Sequence, residues 1–301
     1  MIAVTGCSGW VGKYVCAQAG QRGHGVIRDD DTDGHRLLDV TSTESINIFV
    51  QSAEASGATA VIHCAGKAHD SGIRNETARK MIYAINATGS QALCEAVGKT
   101  RIRRFIHVSS IKVSGDTTLG KAFDGTEVPD PCGDYAESKW RAEQAIGAIG
   151  RDTGLGVMII RPPLLCGAGV KGNLRSLRKA VLAGLPLPFG LLHENRRSLG
   201  SVRNFADLLI TCAMAHAPGV ANGTYTYSDS RPLSTRELTK QLGQLAGIRT
   251  YQINVPVSVL RIGAKLAGKE DLMGRLTESL VVDGTRLRNA LGWVPPHSLQ
   301  E

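Results

Sequence analysis

The sequence predicts an α/β protein with a doubly wound parallel sheet, on two observations. Over the first two-thirds of its 301 residues, short β-rich runs alternate with segments whose apolar residues recur every three or four positions. Parallel strands joined by crossover helices produce such an alternation. The predicted strands cover residues 2–4, 26–28, 60–64, 103–109 and 156–161. The predicted helices between them cover residues 11–22, 43–56, 76–97 and 135–149.

After Arg161 the alternation loosens, which predicts a smaller C-terminal α/β part. Prolines and glycines interrupt it at Pro162, Pro163, Gly167, Gly169, Gly172, Pro186 and Pro188. We therefore expect this part to be inserted between later strands of the sheet rather than to fold independently. The predicted helices cover residues 174–183, 205–217, 234–247 and 285–291, and a strand is predicted near residues 224–227.

The composition excludes several functional classes. With 42% hydrophobic and 21% charged residues, the chain is globular. Its formal charge of +8 comes from dispersed basic residues without a nucleic-acid-binding motif, so we predict a phosphorylated small molecule as partner and no nucleic acid. No apolar run approaches the roughly 20 residues that span a bilayer, and no leader-like segment precedes the first strand. We therefore predict a cytoplasmic protein without a membrane span.

The cysteine and histidine positions argue against a metal centre. The seven cysteines are scattered and include no Cys-x-x-Cys pair, so we expect reduced thiols that mostly pack in the core. The histidines lack the short spacing of metal ligands, as seen at His63, His69, His107 and His193. No metal is predicted.

Residues 5–12 read TGCSGWVG, a glycine-rich turn between the first predicted strand and the first helix. Such a turn brings backbone N–H groups close to the pyrophosphate of a dinucleotide, and side chains at its glycines would obstruct that approach. Its position, spacing and flanks favour this interpretation over a turn without a ligand, and predict a Rossmann-type sheet. The residues predicted to contact the cofactor are Gly6, Ser8, Gly9, Trp10, Val11 and Gly12.

The end of the second strand bears on which dinucleotide binds. An acidic residue about 20 positions after the turn would hold the ribose of NAD, whereas an arginine would favour the extra phosphate of NADP. The chain offers Arg28 followed by aspartates at 29–31, so the sequence leaves NAD or NADP open. Asp39 either hydrogen-bonds the adenine or is an ordinary solvated carboxylate, and its neighbour Val40 is assigned to the same cofactor site.

Tyr135 and Lys139 lie four residues apart in a predicted helix, and therefore on one face. A tyrosine with a pKa of about 10 is a poor base at neutral pH, and a nearby cation stabilises its phenolate. We therefore expect Lys139 to lower the pKa of Tyr135, so that Tyr135 can exchange a proton with an alcohol, and to hold the nicotinamide ribose. Alone, such a pair is more often a surface contact, but its neighbours in this chain favour catalysis.

The strand at 103–109 leads into Ser109 and Ser110, at the carboxyl edge where α/β sheets bind ligands. With TGxxGxxG before it and YxxxK about 25 residues after Ser110, the sequence resembles the NAD-dependent epimerase/dehydratase family of extended short-chain dehydrogenases. The resemblance covers nearly the whole chain. It implies that Ser110, Tyr135 and Lys139 are catalytic, and that Ser109, Tyr135 and Lys139 contact the cofactor.

Three further stretches support the resemblance. Residues 61–66 (VIHCAG) resemble the family's segment beneath the cofactor, residues 86–90 (NATGS) resemble a helix motif whose Asn supports the active site, and residues 161–163 (RPP) resemble the segment flanking the nicotinamide. These stretches imply cofactor contacts from Cys64, Ala65, Gly66, Asn86 and Pro162. For Asn86, a helix-surface amide is an equal alternative.

The resemblance also implies a division of the chain and an assembly. We expect an NAD(P)-binding Rossmann domain at residues 1–165 and a mainly substrate-binding part at 166–301, with segments that return to the sheet. A homodimer is implied as well.

The residues after Ser110 narrow the reaction. Family members that dehydrate nucleotide-sugars carry an acid pair there, whereas this chain has Ile111 and Lys112, neither of which can act as a carboxylic acid. Hydride chemistry at position 4 of the sugar remains. The stretches that point to a subgroup resemble bacterial enzymes that reduce UDP-4-keto-6-deoxy-N-acetylhexosamines for surface polysaccharides, and they cover residues 109–115, 161–167, 169–173, 184–188 and 195–199.

Reduction of a 4-keto sugar is therefore the preferred prediction, and UDP-sugar 4-epimerisation is its alternative. A non-catalytic dinucleotide sensor is a third hypothesis, which the intact Ser-Tyr-Lys set disfavours. Arg197 matches the family position that grips the substrate diphosphate, for which a guanidinium is well suited, and Arg275 is a second candidate. The other residues assigned to a UDP-linked substrate are Lys67, Ser110, Lys112 and Asn173.

Overall fold

Two parallel sheets organise the computed structural model, which describes residues 1–30, 38–67, 75–170, 172–215 and 222–298. The described strands are β1 (Ile2–Thr5), β2 (Val26–Arg28), β3 (Ala60–His63), β4 (Arg104–Val108), β5 (Gly156–Arg161), β6 (Leu164–Cys166), β7 (Leu199–Ser201) and β8 (Gly223–Thr226). The central sheet has the order β2-β1-β3-β4-β5-β8, and each neighbouring pair is parallel. The second sheet pairs β6 with β7.

Helices connect these strands. The described α-helices are α1 (Trp10–Gln21), α2 (Thr43–Ala55), α3 (Glu76–Tyr83), α4 (Ser90–Val97), α5 (Gly133–Thr153), α6 (Gly172–Leu182), α7 (Val202–Met214), α8 (Thr235–Leu245), α9 (Val257–Leu266), α10 (Glu270–Thr277) and α11 (Thr285–Leu291). The last two residues of the helix predicted at 205–217 lie outside the described residues, as do Asp31 and His69.

Helices cover both faces of the central sheet. Strands β1, β3 and β5 are buried along their whole length, as expected when a parallel sheet is covered on both sides. On one face, α1 and α7 contribute Val15 and Phe205 to an apolar layer. On the other face, α2, α4 and α5 contribute Ile46, Leu93 and Ile146. The predicted Rossmann-type doubly wound α/β fold is therefore confirmed.

The helix predicted at residues 76–97 is not a continuous α-helix. Between α3 and α4, residues Ala84–Gly89 form a π-helical segment. Asn86 lies in this segment and is fully buried, bonded to the loop that follows β3. A π turn holds an extra residue, and such turns often occur at functional sites. The prediction of one uninterrupted helix was wrong because this long-range contact decides the local backbone.

The C-terminal part contains elements that the sequence did not predict. Strands β6 and β7 are three residues each, too short to show a period. Helix α9 has no buried residue, and its apolar side chains Ile262 and Leu266 are 62% and 85% exposed. Its apolar residues therefore do not form the buried stripe from which a helix is predicted. Strand β8, near the predicted strand, joins the central sheet beside β5. None of the helices in the described ranges combines the length and apolar character needed to cross a membrane.

Candidate active site

The predicted site residues gather at the carboxyl ends of the central strands. The glycine turn follows β1, the segment at 64–67 follows β3, Ser109 and Ser110 follow β4, and Pro162 follows β5. In open parallel sheets this edge is where ligands bind. Pro162 also fixes the turn after β4, because its carbonyl oxygen accepts a hydrogen bond from the Ile111 N–H at 3.0 Å.

The glycine turn leaves space that side chains would fill. Gly6 has a φ of +75°, and a Cβ there would lie 2.6 Å from the backbone nitrogen of Ala65. A Cβ on Gly12 would lie 2.0 Å from the carbonyl oxygen of Gly6, and one on Gly9 would lie 3.0 Å from the same atom. Gly9 precedes α1 without a side chain to cap it, so the first N–H groups of the helix face the turn. The cradle fits the phosphates of a dinucleotide.

Asp29 and Asp30 are buried at the end of β2. The carboxylate of Asp29 accepts hydrogen bonds from the backbone N–H groups of Gly6 and Cys7, the latter at 2.9 Å. Asp30 pairs with the guanidinium of Arg28 at 2.8 Å. Ligand atoms of Cys7, Asp29 and Asp30 lie within 4.8 Å of one another, but the contacts just described and a bond from the Cys7 thiol to the Val4 carbonyl already engage all three.

Other residues assigned to the cofactor have mixed surroundings. Trp10 donates its indole N–H to the carbonyl oxygen of Ala168 at 2.8 Å, which ties the start of α1 to the loop after β6. Asp39 is exposed, and its carboxylate accepts from the N–H and hydroxyl of Thr41 at 2.9 and 2.8 Å. Val40 is buried, and its carbonyl oxygen lies against Gly89 of the π segment.

Asn86 clamps the loop after β3 to α5. Its Oδ1 accepts from the Lys67 N–H at 2.8 Å, while its Nδ2 donates to the Lys67 carbonyl at 3.0 Å and to the Ser138 hydroxyl at 3.1 Å. A Cβ on Gly66 would lie 3.1 Å from Lys139 Nζ and 3.3 Å from Asn86 Oδ1. Asn86 therefore supports the segment that carries Gly66, rather than lying on the helix surface.

Helix α5 presents Tyr135 and Lys139 to the end of β4. Lys139 is 4% exposed, and its Nζ donates to the carbonyl oxygen of Val108 at 3.0 Å. Burial lowers the pKa of Lys139 to about 8, although Cys64 and Glu143 act in the opposite direction. The Ser110 side chain is close enough to the Tyr135 hydroxyl to lower its pKa. The motif thus forms one contiguous group of side chains.

The sequence predicted that Lys139 lowers the pKa of Tyr135, but Lys139 is not among the groups that shift this pKa. Burial raises the pKa of Tyr135 above its ordinary value, and the opposing contribution comes from the hydrogen bond with Ser110. The Lys139 ammonium is instead bonded to the Val108 carbonyl. Ser110, rather than the cation, is the group that offsets burial at the phenol.

The two serines after β4 have different partners. Ser110 begins a short 3-10 helix, Ile111–Val113, and its Oγ accepts from the Lys112 N–H at 3.3 Å. Ser109 is 3% exposed and donates its hydroxyl to Glu143 Oε1 at 2.5 Å. Ser110 thus faces Tyr135, while Ser109 is directed into the protein.

Several of the residues that the sequence analysis assigned to the substrate are basic. Arg197 pairs through its backbone with Leu233 and Leu280, and its Nη1 donates to the Glu278 carbonyl at 3.2 Å. Its pKa is lowered by burial and by the nearby charge of Arg275, so the two guanidinium groups lie in one region. Lys112 pairs with Asp116 at 2.6 Å, and Asp116 also acts on Arg197. Asn173 is exposed in the first turn of α6.

Sequence reasoning missed a buried ionic network beneath the catalytic residues. Arg161, at the end of β5, is 2% exposed, and its Nη2 contacts Glu143 Oε2 at 2.6 Å. Its Nη1 contacts Glu127 Oε1 at 3.1 Å and Ser114 Oγ at 3.0 Å. Ser114 also donates to Glu127. One signal was available, since Glu143 follows Lys139 by four residues and so shares its helix face.

The fold and this site define an enzyme of the extended short-chain dehydrogenase/reductase type. Residues 2–226 match the model of the NAD dependent epimerase/dehydratase family, and the chain belongs to that family. It is 35% identical to a UDP-glucose 4-epimerase of Vibrio cholerae over 312 aligned residues, which cover 100% of this chain and 92% of the relative.

Solved structures share the fold at lower identity. The UDP-N-acetylglucosamine 4-epimerase from Bacillus cereus superposes with a TM-score of 0.78 at 18% identity, covering 98% of this chain and 94% of that one. The UDP-glucose 4-epimerase of Thermus thermophilus in complex with NAD gives a TM-score of 0.75 at 20% identity, covering 100% and 95%. These structures show the shared fold, and the family match identifies the chain as an NAD-dependent enzyme of the epimerase/dehydratase type.

Proposed function

We propose that the chain catalyses reversible 4-epimerisation of a UDP-hexose or UDP-N-acetylhexosamine, with NAD as cofactor. The observation that carries this proposal is the group of Ser110, Tyr135 and Lys139 at the same sheet edge as the glycine turn. The likeness over the full chain to a UDP-glucose 4-epimerase supports the reaction and the substrate class.

The residues at the end of β2 support NAD over NADP. Arg28 is paired with Asp30, which leaves its guanidinium less available to an extra phosphate. Asp29 places a carboxylate beside the glycine turn, where the ribose of NAD is expected. We assign the pyrophosphate to the cradle of Gly6, Gly9 and Gly12. When bound, the nicotinamide supplies a hydride acceptor and donor.

Tyr135 carries the proton in the proposed reaction. In its phenolate form, Tyr135 Oη takes the proton of the hydroxyl at position 4 as that carbon is oxidised, and the phenol so formed returns the proton when the keto sugar is reduced. Ser110 orients the sugar oxygen and stabilises the phenolate through its hydrogen bond to Tyr135. Lys139 is proposed to hold the nicotinamide ribose. The configuration inverts because the keto sugar turns over between the two steps.

Arg197 and Arg275 are proposed to bind the substrate diphosphate. Two guanidinium groups close enough to repel each other are stabilised by a bound anion, and their planar donors match phosphate oxygens. Lys112, beside Ser110, adds a third cation at the same end of the site.

Reduction of a UDP-4-keto-6-deoxy sugar is the second candidate. The same residues perform it, with Tyr135 acting only as the acid. The raised pKa of Tyr135 favours this reaction, because the phenol stays protonated and ready to donate at neutral pH. The stretches that resemble 4-keto sugar reductases favour it as well.

Two assays with one pair of variants test these functions. UDP-N-acetylglucosamine or UDP-glucose is incubated with a trace of NAD, and the 4-epimer is measured by NMR. In parallel, a UDP-4-keto-6-deoxy sugar is incubated with excess NADH or NADPH, and absorbance at the nicotinamide band is followed. Interconversion without net cofactor use supports the epimerase, and stoichiometric loss of absorbance supports the reductase.

Tyr135→Phe is expected to abolish the activity found while leaving NAD affinity unchanged. Tyr251→Phe is the matched control, because Tyr251 is 57% exposed in the C-terminal part. Near-normal turnover in Tyr135→Phe would contradict the proposal that Tyr135 carries the proton. Dinucleotide binding without turnover in either assay would favour a sensor.

A further inference from the structure

Two side chains of helix α5 hydrogen-bond to two consecutive residues at the end of β4. Lys139 Nζ donates to the carbonyl oxygen of Val108 at 3.0 Å, and Glu143 Oε1 accepts from the hydroxyl of Ser109 at 2.5 Å. Lys139 and Glu143 are one helical turn apart, so an ammonium and a carboxylate from one helix face bind the last residue of β4 and the residue after it. Ser110 is the next residue of the chain.

Arg161 joins this contact to the other end of the turn that carries Ser110. It binds Glu143 through Nε and Nη2, at 3.0 and 2.6 Å, and reaches Ser114 with Nη1 at 3.0 Å. Ser109 and Ser114 flank the turn, so both of its ends are bonded to one buried ion pair. This arrangement fixes the turn relative to α5, and hence Ser110 relative to Tyr135.

Charge balance points to a second role for Glu143. Arg161, Glu143 and Lys139 are 2%, 3% and 4% exposed, so these charges have little water to solvate them. Arg161 is already shared with Glu127 at 3.1 Å. Glu143 also acts on Lys139, so removal of this carboxylate leaves Lys139 without that neighbouring anion and Arg161 with Glu127 alone.

We propose that Glu143 is a positioning residue that keeps Lys139 in its charged form and holds the Ser110 turn against α5. The proposal rests on the function proposed above for Ser110, Tyr135 and Lys139. It adds to the Ser-Tyr-Lys set a fourth residue, which touches neither substrate nor cofactor.

The other groups around Lys139 cannot supply this negative charge near pH 8. From β3 and the residue after it come His63 and Cys64, and from β4 comes His107. Burial lowers the pKa of both histidines and raises the pKa of the Cys64 thiol far above 8, so all three are neutral where Lys139 titrates. The negative charge through which Cys64 would raise the pKa of Lys139 arises only in more alkaline solution. Tyr135, on the same helix, is also neutral because burial raises its pKa. Among these groups, Glu143 alone is an anion.

Glu143→Gln tests the charge, with Glu127→Gln as its matched control. Both substitutions remove one carboxylate from Arg161, but Glu127 is on a loop and does not act on Lys139. The protonation of Lys139 is followed by NMR in full-length protein labelled with 13C at lysine Cε, and its signal is assigned by its loss in Lys139→Arg. In parallel, kcat/KM for the sugar reaction is measured from pH 6 to 10.

We expect the titration midpoint of Lys139, about 8 in the unaltered protein, to fall in Glu143→Gln by about 1 pH unit. The alkaline loss of kcat/KM should move with it, whereas Glu127→Gln should leave both in place. An unmoved midpoint in Glu143→Gln, or an equal movement in Glu127→Gln, would overturn the proposal. Because the NMR titration needs no substrate, absence of the sugar reaction would defeat the proposed function without deciding this inference.

Ser109→Ala tests the positioning independently and keeps every charge. It removes the hydroxyl that Glu143 holds at 2.5 Å. We expect kcat to fall about tenfold with KM and the Lys139 midpoint unchanged, a loss of the size expected for one misplaced catalytic group. An unchanged kcat would contradict the positioning role, even if Glu143→Gln failed to fold.

Discussion

Lys139 Nζ lies 3.0 Å from the carbonyl oxygen of Val108, so the buried ammonium of α5 is bonded to the last residue of β4. Burial brings the pKa of Lys139 to about 8. If the charged form is the active one, kcat/KM is constant below this pH and falls as Lys139 loses its proton above it. A pH–rate profile of the unaltered enzyme from pH 6 to 10 measures this limb.

Lys139→Arg provides the comparison for that profile. A guanidinium stays protonated throughout the range, so the limb near pH 8 should disappear even if the maximum rate is lower. An identical limb in Lys139→Arg would assign the titration to another group.

Of the three glycines in the dinucleotide turn, Gly12 has the least room for a side chain. A methyl group there would lie 2.0 Å from the Gly6 carbonyl oxygen, so Gly12→Ala should displace the turn and weaken NAD binding at least about 100-fold, the cost of roughly 3 kcal/mol of steric strain. Gly20→Ala is the matched control in the same helix, because a Cβ at Gly20 meets no atom within 4 Å. It should bind NAD normally and gain up to about 1 kcal/mol of stability. Titration of NADH fluorescence measures both, and equal affinities would refute the cradle.

His107 is buried beside His63, and in the described part of the chain neither of its ring nitrogens has a hydrogen-bond partner. Burial lowers the pKa of both rings, that of His63 to about 3, so each must stay neutral in the folded state. The unfolded chain takes up these protons below about pH 6.5, so the free energy of unfolding should decrease as pH falls from 6.5 toward 3. The slope is about 1.4 kcal/mol per pH unit for each histidine.

His107→Leu should flatten this dependence without loss of stability at pH 7, because it removes two unpaired polar atoms. His63→Leu should also flatten it but destabilise the protein by about 1–3 kcal/mol for each hydroxyl that loses its hydrogen bond to the His63 ring. Those hydroxyls belong to Thr5 and Ser90, at 2.6 and 2.8 Å from the His63 ring. Urea denaturation at a series of pH values separates the two variants, and an unchanged slope in His107→Leu would contradict the assignment.

Arg197→Gln should weaken substrate binding selectively. Loss of a charged donor to the diphosphate should raise KM for the UDP-sugar roughly 10- to 100-fold while NAD affinity is unchanged. Arg196→Gln is the control, since its exposed guanidinium is bonded to the carbonyl oxygens of His193 and Asn195. Steady-state kinetics with varied UDP-sugar decide between them, and equal effects of the two variants would argue against a diphosphate role for Arg197.

The central sheet was predictable because its information is local. Strands of a buried parallel sheet are short apolar runs, and β1, β4 and β5 fall within one residue of their predicted bounds. The glycine turn, Tyr135 and Lys139 were predictable for the same reason, since each depends on spacing within a few residues. The π segment was not, because a hydrogen bond between Asn86 and Lys67, far apart in sequence, determines it.

The buried ionic network around Arg161 could not be predicted from the sequence. Arg161 and Glu127 lie 34 positions apart, as do Ser109 and Glu143, and no local pattern predicts that they meet. The pKa of Tyr135 was mispredicted for a related reason. Sequence spacing gives the neighbour on the same helix face, but it does not give the burial or the competing acceptor at Val108.

The π segment at Ala84–Gly89 places the two flanking helices out of phase. Each residue of an α-helix advances by about 100°, so deleting Thr88 from this segment would let α3 and α4 merge into a regular helix. The merged helix would be one residue shorter and would keep its apolar residues, yet Asn86 would rotate away from Lys67. A single-codon deletion could therefore separate foldability from catalytic competence at this position, leaving a well-formed but inactive protein.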